Sequence, residues 1–319
     1  MKIPRPSVLA CLLLSASAAF AAGGRTITIG VIAKSQSNPV FQAARVGAEE
    51  AARDLGARLH ADIRIDWRTP NDEDAQKQAQ AVEQLVLAGA DGIAVSCSDA
   101  NKLTDAINAA VDHGVPVATF DSDAPASRRF VTFGIDDEKC GEVIMATLVK
   151  TMNGRGVVAI LAGSQNAPNL QKRMRGAVAE AARHPGITIR GVYYHKETPQ
   201  DAAAKVEQVM EANPDINGWA MVAAACLFTD NALPWQPGAV KCVAMDALPP
   251  ELAYLRSGQV QVLYAQQCYQ WGYRSVELLV DRILLDRSPA SVKEVSPLIR
   301  VDPSNVDAFA RNWDVWLRK

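Results

Sequence analysis

The chain alternates short apolar runs with longer amphipathic stretches, and this alternation occurs twice. Four strand-and-helix cycles occupy residues 26–122, and four more occupy residues 156–248. The apolar runs, such as GVVAILAG at 156–163, are continuous, which is typical of parallel strands that are covered by helices on both faces. The sequence therefore predicts an α/β protein with two similar Rossmann-like domains, each built on a parallel sheet flanked by helices.

The individual elements are bounded by glycine and proline, which interrupt regular structure. Helices are expected at 73–89, 99–114, 169–184 and 199–214. Strands are expected at nine positions: 26–34, 62–68, 91–97, 115–121, 156–162, 187–195, 218–224, 240–246 and 260–266.

Composition excludes some partners. The chain has 319 residues, of which 49% are hydrophobic, and this is enough for two ordinary cores. Its formal net charge is -2. A chain without an excess of cations is not expected to bind nucleic acid or an anionic membrane surface.

The N-terminus has the pattern of a secretory signal peptide. Lys2 and Arg5 precede the apolar stretch at 8–20, and Ala19-Phe20-Ala21 fits the small-x-small cleavage pattern. Removal of residues 1–21 takes away two cations and no acid, so the mature chain carries -4. A lipoprotein site at Cys11 is a weaker alternative, because Leu9 stands where a smaller residue is usual. We expect a soluble protein of the periplasm.

The cysteines and histidines indicate no metal site. The chain has no CxxC motif and no zinc-type spacing of cysteine and histidine. An oxidising compartment permits one or two disulfides, and buried single thiols are the alternative. Pairing stays open among the five cysteines that remain after cleavage: Cys97, Cys140, Cys226, Cys242 and Cys268.

Polar residues directly follow several of the predicted strands. Asp121 and Asp246 each end the last apolar strand of a repeat, and the first strand leads into SQSNPVFQA, which offers Asn38 and Phe41. This first turn lacks the glycines that hold a diphosphate. Because ligands bind at the carboxyl ends of parallel strands, we expect one shared site. The alternatives are that the aspartates cap helices and that Phe41 belongs to the core.

Longer stretches resemble the type I periplasmic sugar-binding proteins of ABC importers, the ribose- and galactose-binding group. The resemblance implies two lobes joined by a three-crossing hinge, with 25–134 plus 268–298 in the N-terminal lobe and 135–267 plus 299–319 in the C-terminal lobe. It extends over nearly all of the mature chain and is carried, in order, by SNPVFQAARVGAEEAARDLG, DGIAVSCSDANKLTDAINAAVDHGVPVATFDSD, FGIDDEKCGEVI, NLQKRMRGAVAEA and CVAMDALPPELAYLRSGQVQVLYAQQCYQWGYRSVELLV.

The resemblance also implies a set of ligand-binding residues and no metal or organic cofactor. Carboxylates, amides and guanidinium groups match sugar hydroxyls, and an aromatic ring can cover the C–H face of a sugar. Arg173 lies in the cationic run KRMR, where a solvated helix face is the alternative. Trp271 and Tyr269 are further aromatic candidates. The implied set is Asn38, Phe41, Asp121, Asn169, Arg173, Asp246 and Gln266.

Two positions depart from the ribose-binding pattern. Residues 223–228 read AAACLF, without the polar pair found there in ribose-type relatives, and Val40 replaces an aromatic residue. We therefore expect a pentose, hexose, deoxysugar or sugar alcohol other than ribose.

The expected function is capture of this ligand by a monomer that delivers it to an ABC permease in the inner membrane. The main alternative is a sensor that reports a small metabolite to a membrane receptor or histidine kinase. An enzyme is not expected, because GxSxG, HExxH, GxxxxGK[ST] and a first-turn GxGxxG are all absent. The enzymatic alternative is that Asp121 and Asp246 act as an acid/base pair, as in glycoside hydrolysis.

Overall fold

The structure is a computed structural model that describes residues 26–317. The predicted signal peptide lies outside the described residues. The described part contains twelve strands, β1 to β12: Thr26–Ile32, Asp62–Trp67, Gly92–Val95, Val117–Phe120, Val131–Gly134, Gly156–Gly163, Ile187–Tyr194, Gly218–Met221, Lys241–Met245, Val262–Ala265, Lys293–Val295 and Ile299–Val301.

Residues 26–317 contain nine α-helices, of which eight lie between strands and the ninth follows the last strand. A short 3-10 helix, Ala225–Phe228, follows β8. The helices α1 to α9 are Pro39–Leu59, Ala75–Leu87, Ala100–Asp112, Asp137–Thr151, Pro168–Ala181, Pro199–Ala212, Pro249–Ser257, Cys268–Leu285 and Val306–Trp316. No helix in this range is long and apolar enough to cross a membrane.

The strands form two six-stranded sheets with the same order. The first sheet runs β11-β5-β4-β3-β1-β2 and the second runs β12-β10-β9-β8-β6-β7. All neighbouring strands are parallel except β10 and β12, which are antiparallel. The predicted fold class, two similar parallel α/β units, is confirmed. We call the first sheet with α1, α2, α3 and α8 the first lobe, and the second sheet with α4 to α7 the second lobe.

The strand prediction was incomplete at three places. The structure contains β5, β11 and β12, which the sequence did not predict. Each has only three or four residues, so the local pattern is too short to stand out. They matter because the chain passes between the sheets after β5, after β10 and after β11, which makes three crossings.

Each lobe contains a helix pair in very close contact through glycine. In the first lobe, α1 and α8 cross where Gly47 faces the carbonyl of Tyr269 and Gly272 faces the carbonyl of Ala44. Cβ atoms added at these glycines would collide with those backbone oxygens. Only the absence of side chains allows the backbones to approach so closely.

The second lobe repeats this arrangement between α4 and α5. Gly141 faces the carbonyl of Arg173, and Gly176 faces the carbonyl of Glu138. The contact holds α5, which bears the predicted site residues Asn169 and Arg173, in a defined position against the rest of its lobe.

The five cysteines of the described chain are free and buried, so the structure favours single thiols over disulfides. Burial raises the pKa of each thiol above its ordinary value. We expect native protein that starts at Ala22 to react with none of its five thiols toward Ellman's reagent at pH 8, and with all five after denaturation. Rapid reaction of the native protein, or fewer than five thiols after denaturation without a reductant, would contradict this arrangement.

Candidate ligand-binding site

A cavity of about 490 Å³ lies between the carboxyl ends of the strands of the two sheets. This volume is within the usual range for small-molecule sites. All seven residues that the sequence singled out line it: Asn38, Phe41, Asp121, Asn169, Arg173, Asp246 and Gln266.

The two aspartates occupy equivalent places in the two lobes. Asp121 follows β4 and Asp246 follows β9, and both have left-handed backbone conformations with φ of 56° and 68°. Such conformations are uncommon outside glycine and concentrate at functional sites. Neither aspartate caps a helix, because Asp121 precedes β5 and the N-cap of α7 is Leu248. The capping alternative is therefore wrong.

Asp121 is the centre of a polar network that joins the two lobes. Its side chain is 5% exposed. Within the first lobe it accepts a hydrogen bond from Ser96 Oγ at 2.8 Å. From the second lobe Asn169 Nδ2 donates to Asp121 Oδ1 at 3.2 Å. Lys34 Nζ lies 3.5 Å from Asp121 Oδ2 and 3.4 Å from Asn169 Oδ1, so one cation contacts both walls of the cleft.

Arg173 is buried rather than solvated, with its side chain 3% exposed. Its Nε donates to Asp137 Oδ1 at 2.9 Å, and one terminal nitrogen donates to Gln266 Oε1 at 3.0 Å. Asp137 begins α4 just after the first crossing, and Gln266 lies on the second crossing. Burial opposes the charge of Arg173, but the carboxylate of Asp137 helps to outweigh this effect, and the pKa of Arg173 is raised.

Gln266 extends the network to the second aspartate. Its Nε2 donates to Asp246 Oδ1 at 2.8 Å, while its Oε1 accepts from Arg173. Burial raises the pKa of Asp246, and Arg173 and Gln266 act in the opposite direction. The cleft therefore presents carboxylates, amides and two cations in one connected system.

The first-lobe wall combines a helix cap with an aromatic pair. Asn38 Oδ1 accepts from the backbone N–H of Val40 at 3.2 Å and caps α1, which leaves its amide nitrogen for other contacts. Phe41 is 3% exposed and its ring centre lies 5.9 Å from that of Trp271. Both rings line the cavity and also belong to the core.

Tyr269 does not line the cavity, so that aromatic candidate was wrong. Its ring stacks on Tyr273 and on Trp316, at centroid distances of 6.0 and 6.4 Å. Its hydroxyl donates to Glu50 at 2.7 Å. Tyr269 precedes Trp271 by two residues, so the two side chains lie on roughly opposite faces of α8.

Several residues of the cavity were missed in the sequence, among them Lys34, Glu197 and Phe228. Lys34 follows β1 and Glu197 follows β7, so the same strand-end argument that found the aspartates applies to both. Burial opposes the charge of Lys34, but Asp121, Glu73 and Glu197 outweigh it and raise its pKa. Phe228 ends the 3-10 helix and is half-buried, whereas Phe41 and Trp271 are almost fully covered. Phe228 therefore offers a more accessible ring surface.

The arrangement suits recognition of a small polar molecule. Donors and acceptors converge from both sheets, and apolar surface comes from aromatic rings and from Ala223 to Ala225. Among residues 26–317, no group of three or more histidine, cysteine, aspartate or glutamate side chains could hold a metal ion. Two parallel α/β lobes, three crossings and a polar cleft between them define a two-lobed ligand-binding protein.

Comparison with known proteins identifies the family. A sequence model described as periplasmic binding protein domain matches residues 29–284, so the chain belongs to the periplasmic binding protein family. The "Ribose import binding protein RbsB" of Bacillus subtilis is 28% identical over 152 residues, about half of each chain. The "D-apiose import binding protein" of Actinobacillus succinogenes is 24% identical over 219 residues, which cover 68% of this chain and 67% of that one.

Solved structures agree with this assignment. A solute-binding protein of an ABC transporter from Burkholderia graminis, in complex with D-arabinose, superposes with a TM-score of 0.80 at 27% identity, over 88% of this chain and 96% of that one. A protein from Agrobacterium vitis, bound to α-D-tagatopyranose, has the same fold, with a TM-score of 0.81 at 22% identity and coverage of 89% and 98%. The predicted class, a binding protein and not an enzyme, is confirmed by these relatives.

Proposed function

We propose that the protein captures a monosaccharide or sugar alcohol in the cleft by closure of its two lobes and delivers it to an ABC permease. It would act as a monomer in the periplasm after removal of residues 1–21. The observation that carries this proposal is the convergence of Asp121, Asn169, Arg173, Asp246 and Gln266 from two lobes on one cavity.

Hydroxyl groups explain why these side chains are combined. A sugar hydroxyl donates one hydrogen bond and accepts others, so it is matched by carboxylates on one side and by amide or guanidinium N–H groups on the other. Asp121 and Asp246 supply the acceptors, and Lys34 and Arg173 supply charged donors. Two relatives named for import of ribose and apiose, and a solved relative in complex with D-arabinose, support a sugar as the ligand.

Closure is supported by the contacts across the cleft. Asn169 donates to Asp121, and Lys34 donates to Asn169, so each lobe holds partners for the other. A ligand that engages both walls would bind the closed arrangement more tightly and increase its population. Separation of the lobes would break these bonds, but it would also expose the buried charges to water, which solvates them. The open form therefore remains accessible without the ligand.

A thermal-shift screen tests the proposed function. Protein starting at Ala22 is mixed with D-ribose, D-apiose, D-arabinose, D-tagatose, deoxysugars and pentitols. A sugar that binds only the native state stabilises it by about 2.7 kcal/mol at a hundredfold excess over Kd. We expect one or two members of the panel other than D-ribose to raise Tm clearly, and small-angle scattering to show a smaller radius of gyration in their presence.

Two outcomes would contradict the proposal. A flat response over the whole panel would exclude monosaccharides and these sugar alcohols as ligands. A clear rise in Tm without any change in radius of gyration would retain ligand capture but reject closure. Glu207→Gln, at an exposed position of α6 outside the cavity, serves as the control and should behave like the parent protein.

A further inference from the structure

We propose that Glu197 is a ligand-contacting residue that selects ligands with a hydrogen-bonding oxygen, rather than an apolar C–H group, at the Ala223 end of the cavity. This inference rests on the proposed function and names a specificity determinant for it. Glu197 lies between β7 and α6 in the second lobe and lines the cavity.

The local backbone leaves room for this carboxyl group. Gly163, the last residue of β6, has φ of 66°, and a Cβ atom at this position would collide with Glu197 Oε1. The same Cβ would also lie 2.7 Å from Leu170 Cδ1 and 2.8 Å from Ala223 Cβ. Any larger residue at 163 would push the carboxyl group out of its place. The acid is therefore accommodated by the fold and is not a surface side chain that happens to bend inward.

The carboxyl group has an unused hydrogen-bonding atom. Glu197 Oε1 is covered and has no hydrogen-bond partner in the described part of the chain. A buried carboxylate oxygen without a partner is costly, and this cost is lower when the carboxyl group is protonated and uncharged. Leu170 and Ala223 beside this oxygen offer no donor or acceptor, and a ligand in the cavity can reach the carboxyl group at its other oxygen.

Burial, rather than the surrounding charges, brings Glu197 to the point where its neutral and ionised forms coexist near pH 7. Burial raises the pKa of Glu197 to about 7; Lys34 and Arg173 lower it, Glu73 raises it, and the backbone N–H of Ser164 lowers it. Lys34 is already adjacent to Asp121, and Arg173 is already bonded to Asp137. On the same loop, burial lowers the pKa of His195. A protonated carboxyl group donates one hydrogen bond, which a hydroxyl or ring oxygen of a ligand can accept.

The sign of the pH dependence follows from desolvation. Closure around a neutral ligand removes further water from Glu197, which favours the uncharged form and raises its pKa above the value in the free protein. Binding then takes up a proton, so affinity falls as pH rises above about 7, by at most tenfold per pH unit.

The test compares Glu197→Gln, Glu197→Leu and Glu207→Gln with the parent protein. Gln has the shape and hydrogen-bonding capacity of the protonated acid but does not titrate, and Glu207 is an exposed control on α6. Calorimetry with the sugar panel between pH 5.5 and 8.5, in two buffers of different ionisation enthalpy, measures both Kd and proton uptake.

We expect the parent protein and Glu207→Gln to take up a proton when they bind a neutral sugar above pH 7. Glu197→Gln should bind within about threefold of the parent at pH 6 and lose most of the pH dependence. Glu197→Leu should bind the preferred sugar at least about tenfold more weakly, as expected for loss of one hydrogen bond to a ligand oxygen, and should bind its deoxy analogue comparatively better.

A second measurement needs no ligand. A carboxyl group with a raised pKa in the folded protein stabilises the fold below its unfolded pKa and loses this contribution as pH rises through the folded value. The Tm of Glu197→Gln should therefore rise relative to the parent between pH 5 and pH 8. A constant difference would show that Glu197 is already ionised at pH 5 and would overturn the proposal.

The remaining outcomes separate the two proposals. Binding of a neutral sugar without proton uptake, or an unchanged ligand preference in Glu197→Leu, overturns the role of Glu197 and leaves sugar capture intact. Proton uptake that persists in Glu197→Gln assigns the proton to another group, such as His195. Failure of the parent and all variants to bind any member of the panel overturns both proposals.

Discussion

Replacement of Asp121 by alanine is expected to weaken sugar binding by at least about a hundredfold. The carboxylate is 5% exposed and accepts hydrogen bonds from Ser96 and Asn169, with Lys34 at 3.5 Å. Removal of one partner from a buried charged network leaves the other charge uncompensated, which costs about 3–5 kcal/mol. The same change removes an acceptor for ligand hydroxyls and a contact between the lobes.

Calorimetry with the sugar that gives the largest thermal shift measures this effect. Asp121→Asn should lie between the parent and Asp121→Ala, because the amide keeps the shape but loses the charge-assisted bond. Glu207→Gln, outside the cavity, should bind as the parent does. Affinity of Asp121→Ala within threefold of the parent would show that the ligand does not depend on this carboxylate. Its Tm should also fall, since Lys34 is left buried without its nearest carboxylate.

The two aspartates could be found in the sequence because their signal is local. Each directly follows a continuous apolar strand, and parallel strands bring such positions to one edge of a sheet. Lys34 and Glu197 occupy the same kind of position, yet both were missed. A long charged residue after a strand is usually solvated, and only the packing of Asp121, Asn169 and Gly163 around them reveals that they face the cavity.

For Arg173, the spacing of residues along α5 could have shown that the side chain is buried and not on a solvated helix face. Asn169, Arg173, Gly176 and Ala177 are spaced so that they share one face of α5, and all four are buried. A glycine on the same face as a cation indicates close packing of that face, which contradicts a solvated surface. The cationic run KRMR concealed this pattern, because its charges suggested exposure.

The short strands β11 and β12 were missed for a different reason. Residues 293–295 and 299–301 have no distinctive hydrophobic period, and they become strands because β5 and β10 offer them edges with which to pair. Their conformation is thus a consequence of the tertiary structure. The crossing between them was implied by the resemblance of the chain to a family and not by local chemistry.

Substitution of the glycines at the two helix crossings is expected to have the largest effect on stability. A Cβ atom at Gly272 would collide with the carbonyl of Ala44, and one at Gly176 would collide with that of Glu138. Backbone atoms cannot rotate away as side-chain ends can, so the helices must separate. We expect Gly272→Ala and Gly176→Ala each to cost about 3 kcal/mol, the upper end of the range for overpacking. At roughly 2–4 °C per kcal/mol, Tm should fall by about 6–12 °C.

The variant Gly114→Ala distinguishes the effect of a steric collision on stability from the effect of backbone strain. Gly114 has φ of 79°, and no atom would lie within 4 Å of an added Cβ, so only the left-handed conformation is penalised, by roughly 1–2 kcal/mol. Its sugar affinity should equal that of the parent, whereas Gly176→Ala should also bind more weakly because α5 carries Asn169 and Arg173. Thermal unfolding and calorimetry of the three variants measure both effects. Equal losses of Tm in all three would mean that the helix crossings tolerate a methyl group, and unchanged affinity in Gly176→Ala would mean that the position of α5 does not control the cleft.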